Sequence, residues 1–148
     1  MDIQALKLFV TEDEINDLLA KFLPPDLPVQ KLSVRLTPEG VVVQGVYPTL
    51  LVKMAFETLW EITAAGPEVE ARLANVKVAG LPAGKLRGLL VKVIRDAASR
   101  EAGVCVRNES VRVDVEEALR AKGLPLRVHF TGVRCSLNSL VLEAGPAV

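Results

Sequence analysis

The stretch from Leu81 to Gly103, LPAGKLRGLLVKVIRDAASREAG, sets the terms for the rest of the chain. Leu86, Leu89, Leu90, Val93, Ile94 and Ala97 recur at the three- and four-residue spacing of one α-helical face, with Lys85, Lys92, Arg95, Asp96 and Ser99 opposite. Pro82 suits the opening turn, and Gly103 suits the C′ position, where a left-handed residue closes a helix. An aliphatic face of this width needs a cover. The rest of the chain reads as strands, turns and short helices able to provide it.

Composition narrows what that cover is for. Half of the 148 residues are apolar and mean hydropathy is +0.32, yet aromatics are only 4%, so the excess is aliphatic. Such an excess fills a dry core or an oligomer interface, or it lines a groove for an apolar ligand. Eighteen basic and eighteen acidic residues cancel, without the basic surplus expected of a nucleic-acid binder. The length fits one domain, residues 1–148, large enough to bury a real core. No run approaches the roughly 18 apolar residues of a membrane span, although peripheral membrane contact stays open. The N-terminal MDIQALKLFVTEDE lacks the basic start and apolar run of a signal peptide. A cytoplasmic location is therefore expected, with the envelope open should a leader have been removed. Cys105 and Cys135 lack metal-ligand spacing and lie in apolar runs, which predicts two buried free thiols, or a disulfide if the protein is exported.

Taken in order, Val10 to Leu23 predicts a helix. Thr11 and Glu14 form a capping box, Val10 and Ile15 have staple spacing, and Pro24-Pro25 ends the run. Its apolar face is Ile15, Leu18, Leu19 and Phe22; its acidic head, Glu12, Asp13 and Glu14, speaks against anionic lipid. Alternation then replaces helical spacing. Val29 to Leu36 and Val41 to Val46 flank Thr37-Pro38-Glu39-Gly40, the pattern of a hairpin turn. Leu51 to Thr63 admits two readings. Lys53, Glu57 and Glu61 have helical spacing, but Val52, Met54, Phe56, Trp60 and Ile62 share one face at period two, and a long strand is expected. Glu68 to Val78 continues the meander, with a phase slip at Ala74-Asn75 that suggests a bulge. After the central helix come strands at Val104 to Val106 and Val111 to Val115. A short helix capped by Asp114 and Glu117 follows, then alternation from Leu126 to Phe130 and a last strand at Leu140 to Leu142.

Chemistry-bearing motifs are sparse. Gly80 to Lys85 has three residues between its glycines where a phosphate loop has four, and Leu86 stands where a Ser or Thr would hold magnesium. His129 is the sole histidine, so no multi-histidine metal site or conventional relay can be built around it. Asp114 and Glu117 are explained by capping, and Val104 and Val106 around Cys105 suggest burial rather than nucleophilic exposure. Asn108-Glu109-Ser110 is read as a polar turn. The expectation is a protein that is not an enzyme and needs no metal or cofactor.

The capped opening TEDEINDLLAKFLP, the meander PVQKLSVRLTPEGVVVQGVYPTLLVKMAFETLWEITAAGPEVEARLANVKVAG and the helix LPAGKLRGLLVKVIRDAASR together resemble small bacterial domains of the tubular lipid-binding (TULIP) type. That group includes periplasmic lipoprotein families of unknown function, which are exported and often carry a lipid-modified Cys. Thr11, Glu14, Ile15, Asn16 and Leu19 match the family's T/S-x-x-E-[IL]-N-x-x-L opening. The resemblance implies an α+β fold, a curved antiparallel meander wrapped around a long amphipathic helix, with further C-terminal strands. It also implies a groove for an acyl chain or another apolar molecule. The residues expected to line it are Val52, Met54, Phe56, Trp60 and Ile62 on the sheet and Leu86, Leu90, Val93 and Ile94 on the helix. The alternative use of the apolar excess is a homodimer interface.

Overall fold

The computed structural model describes residues 5–22, 29–48, 53–78 and 83–146, including all their side chains except those of Phe22 and residues 83–86. In chain order the elements are β1 (Leu6–Thr11), α1 (Glu12–Phe22), β2 (Gln30–Thr37), β3 (Gly40–Pro48), β4 (Lys53–Ala65) and β5 (Glu68–Val78). They continue with α2 (Ala83–Ala98), β6 (Val104–Arg107), β7 (Ser110–Asp114), α3 (Val115–Ala121), β8 (Phe130–Ser136) and β9 (Ser139–Ala144).

The expected meander is present. β2 to β5 are successive antiparallel neighbours in a six-stranded sheet of order β2-β3-β4-β5-β7-β6. The turn at Pro38-Glu39 delivers Gly40 with φ +146°, where a Cβ would lie 2.2 Å from the Trp60 carbonyl oxygen, so only glycine fits. Leu51 to Thr63 resolves in favour of the strand, since β4 runs through Lys53–Ala65. Leu59 faces Asn75 and Trp60 faces Leu73, which leaves Ala74 as the extra residue of the expected bulge.

Period-two alternation gives the sheet two unlike faces. Phe56, Thr58, Trp60, Leu73 and Val76 point inward and are buried. The outer face carries ion pairs: Arg112–Glu70 at 3.3 Å and Arg72–Glu61 join adjacent strands, and Arg35–Glu57 at 3.1 Å reaches from β2 across β3 to β4. Because β7 pairs antiparallel with both β5 and β6, those two run in the same direction, and α2 is the crossover that joins them. That connection lays α2 on the inner face, against β5 and β6.

A second, three-stranded sheet has the order β1-β9-β8. It joins the first where Gly66, in the β4–β5 turn, exchanges backbone hydrogen bonds of 3.2 and 2.7 Å with Phe130. Val128, Phe130 and Ala144 are buried there over Ala64, Val69 and Val115, a core separate from the one under Leu90.

One meander wrapped around a long helix is therefore not the architecture. The chain is mostly strand, with three short helices among the described residues and two antiparallel sheets. α2, with 16 residues and a length of about 24 Å, lies on one sheet and is not enclosed by it. The overlooked element is β1, whose partner β9 lies at the other end of the chain, a pairing that leaves no local pattern. Three smaller expectations also change. α2 ends at Ala98, so Gly103 (φ +81°) shapes the following loop instead of closing the helix. Leu126 to His129 forms no strand, only a single bridge at Arg127, and β8 begins at Phe130. Cys105 is exposed, because Val104 and Val106 take the inward phase of β6 and turn the thiol outward. The Gly80 to Lys85 motif, Pro82 and Pro24-Pro25 lie wholly or partly outside the described residues.

Candidate functional site

α2 crosses the inner face toward β5 and β6, and it leaves a cleft over β2, β3 and β4. This cleft has a volume of about 390 Å³. Phe56, Thr58 and Trp60 from β4 and Val43 from β3 make its floor. Leu90, Val93, Ile94 and Ala97 of α2 make one wall, and Val29 and Leu32 close the side nearest the β2 edge. Val104 and Val111 line the far end, while Glu101, just beyond α2, is the one charged residue at the lining among the described residues.

The polar atoms of the floor are internally paired. Thr58 is only 2% exposed; its hydroxyl donates to the Val43 carbonyl at 3.0 Å and accepts from the Trp60 indole N–H at 2.9 Å. Buried polar groups left unpaired are costly, so this pairing lets the floor be dry. Gly45 shapes the inner face beside the floor. A Cβ there would lie 2.8 Å from Phe56 Cζ and 2.9 Å from Leu32 Cδ2, so the missing side chain is the space that both occupy.

Of the expected lining residues, Phe56, Trp60, Leu90, Val93 and Ile94 meet at this cleft. Ile62 continues the same strand face and packs on the core without reaching the cleft. Met54 is half-buried at the other end of β4 and also stands apart from it. Val52 and the Leu86 side chain lie outside the described residues. Leu89, counted with the apolar face of α2, is 41% exposed and points away.

Val43, Leu32 and Thr58 are among the lining residues outside the expected set, as are Val29, Ala97, Ala98, Val104 and Val111. Val43 is opposite Thr58 in the β3–β4 register, a relation visible only once those strands are paired. Thr58 sits in phase with Phe56 and Trp60 and passes for a polar interruption of an apolar face.

The remaining reactive groups lie elsewhere. His129 is half-buried in the segment before β8, where its carbonyl accepts from Gly145 N–H at 2.9 Å. Asp114 caps α3 by accepting from Glu117 N–H at 3.0 Å. Cys135 is partly buried, and burial pushes its thiol up from the usual value against the lowering effect of hydrogen bonds from the Thr37 and Ser136 backbone. Both cysteines are free thiols. Among the described residues no three His, Cys, Asp or Glu side chains converge as metal ligands, and no helix is long and apolar enough to cross a membrane. No family model, curated protein or solved structure matches the chain.

Proposed function

We propose that the protein is a non-enzymatic binder that takes up a lipid or another apolar molecule in the cleft between α2 and the inner face of the six-stranded sheet. The observation behind this reading is a cleft of about 390 Å³ with apolar side chains on floor and wall, whose buried hydroxyl and indole N–H already satisfy each other. That volume falls in the range of small-molecule sites, roughly 300–1,000 Å³. Each methylene buried there contributes about 0.8 kcal/mol before the cost of association.

Protein purified from cells is examined by native mass spectrometry and solvent extraction, then titrated with a fluorescent fatty acid. Trp60 is the sole tryptophan and belongs to the floor, so its emission reports occupancy directly. The expected result is a co-purified apolar compound or saturable uptake with a change in that emission. Val93→Trp, which fills the cleft from the α2 side, should abolish uptake and leave the melting transition in place. No extracted compound together with no uptake overturns the proposal.

A further inference from the structure

β1 is the outer strand of the three-stranded sheet, and its apolar side chains are unusually open. Leu6 is 36%, Leu8 44% and Phe9 59% exposed. Its free edge can be assigned residue by residue. The Leu137-Asn138 turn makes Ser136 and Ser139 the hydrogen-bonded pair that closes the β8–β9 hairpin, so by alternation Leu140, Leu142 and Ala144 direct their backbone groups to β1. Their β1 partners are Val10, Leu8 and Leu6. Lys7 and Phe9 therefore turn their N–H and C=O away from β9. The end of β1 agrees with this phase: Thr11 N–H goes to Glu14 Oε1 at 3.2 Å, and Glu12 N–H goes to Asn138 O at 3.1 Å.

We propose that β1 is a self-association edge, on which a second copy of this chain pairs antiparallel with Leu8 on the two-fold axis. In that register Lys7 faces the partner's Phe9 and Phe9 faces the partner's Lys7. Among the described residues nothing takes the outward backbone groups of Lys7 and Phe9, so four hydrogen bonds close the edge. Leu6, Leu8 and Val10 of both copies then line one face. It is the face on which Leu142 and Ala144 already join the second core, so the apolar layer continues across the axis. On the opposite face each Lys7 stem lies over the partner's Phe9 ring, an arrangement that also favours the ammonium. The two three-stranded sheets become one sheet of six. Edge strands left open are ordinarily guarded by charge, proline or a cover, and among the described residues Lys7 is the one such guard within Leu6–Val10. The β2 edge of the large sheet is treated quite differently: Asn16 of α1 takes both backbone groups of Val34, Glu12 accepts from Leu36 N–H, and Leu36 O accepts from Asn138 N–H at 3.2 Å.

The test is specific to register. Leu8→Cys is placed in a Cys105→Ser, Cys135→Ser background. At the axis the two Cα atoms of a non-hydrogen-bonded pair stand about 4.5 Å apart, within disulfide reach. Leu6→Cys in the same background puts them about 13 Å apart along the strands. Oxidation should give near-complete covalent dimer with the first variant and little with the second. Phe9→Pro removes a donor from the free edge without touching the bonds to β9. Sedimentation from micromolar to submillimolar concentration should show a dimer for the parent chain and a monomer for this variant. A parent chain that stays monomeric throughout, or equal crosslinking at positions 6 and 8, overturns the proposal. Should Phe9→Pro fail to fold, the crosslinking pair still decides.

Discussion

Thr58 carries a duty out of proportion to its size. It holds the Trp60 indole N–H while spending its own proton on the Val43 carbonyl, and so keeps the floor of the cleft free of unsatisfied donors. Thr58→Val preserves shape and strands that N–H. It should lower stability by about 1–3 kcal/mol, the range for an unsatisfied buried group, with a downward shift of the melting midpoint and an altered Trp60 emission. The two thiols make a second contrast at this scale. Cys105 is exposed and Cys135 partly buried, so a thiol reagent should modify Cys105 first in the native state. The raised folded-state value of Cys135 also sets a sign. Below the unfolded thiol value both states hold the proton, and the contribution to stability is fully present. As pH climbs above about 8.5, the unfolded chain ionises first and that contribution is lost until the folded thiol ionises too. Cys135→Ser, melted across that alkaline window, should show a weaker decline than the parent.

Among the elements, α1 is held in position by side chains reaching across to the backbone of β2. Asn16 acts as a surrogate strand residue, accepting from Val34 N–H at 2.7 Å and donating to Val34 O at 2.9 Å, while Glu12 accepts from Leu36 N–H at 2.8 Å. Asn16→Ala frees both groups of Val34. It should cost about 1–3 kcal/mol and accelerate hydrogen exchange at the Val34 amide far more than at amides inside β4. Local signals reached this far and no further. The capping box of Thr11 and Glu14 forms in both directions, and the bulge at Ala74 and the turn before Gly40 are where the alternation and the glycine put them. Each is decided by residues a few positions apart. The same holds for the Phe56 and Trp60 face of the cleft, which period two alone reveals. What stayed hidden depends on distant pairing: Leu6 beside Ala144, Val43 beside Thr58, and Asn16 against the β2 edge. In the sequence Asn16 stands out only as a match to the family opening, and its use is settled by a strand 18 residues away.

At the scale of the whole molecule, the two sheets meet at Asn138, whose N–H donates to Leu36 O at 3.2 Å, and at Phe130, 6% exposed, whose backbone bridges to Gly66 and whose side chain belongs to the second core. Phe130→Ala should cost about 3–5 kcal/mol. It should also split a single denaturation transition into two, with amides of β1, β8 and β9 exchanging before those of β4 and β5. The pairing of β1 with β9 has a mechanical corollary. Leu6 and Ala144 are opposite partners, so tension applied through the two chain ends loads one ladder rung at a time instead of shearing all six pairs together. Pulled in an optical trap, the small sheet should peel open at low force while the larger one still holds.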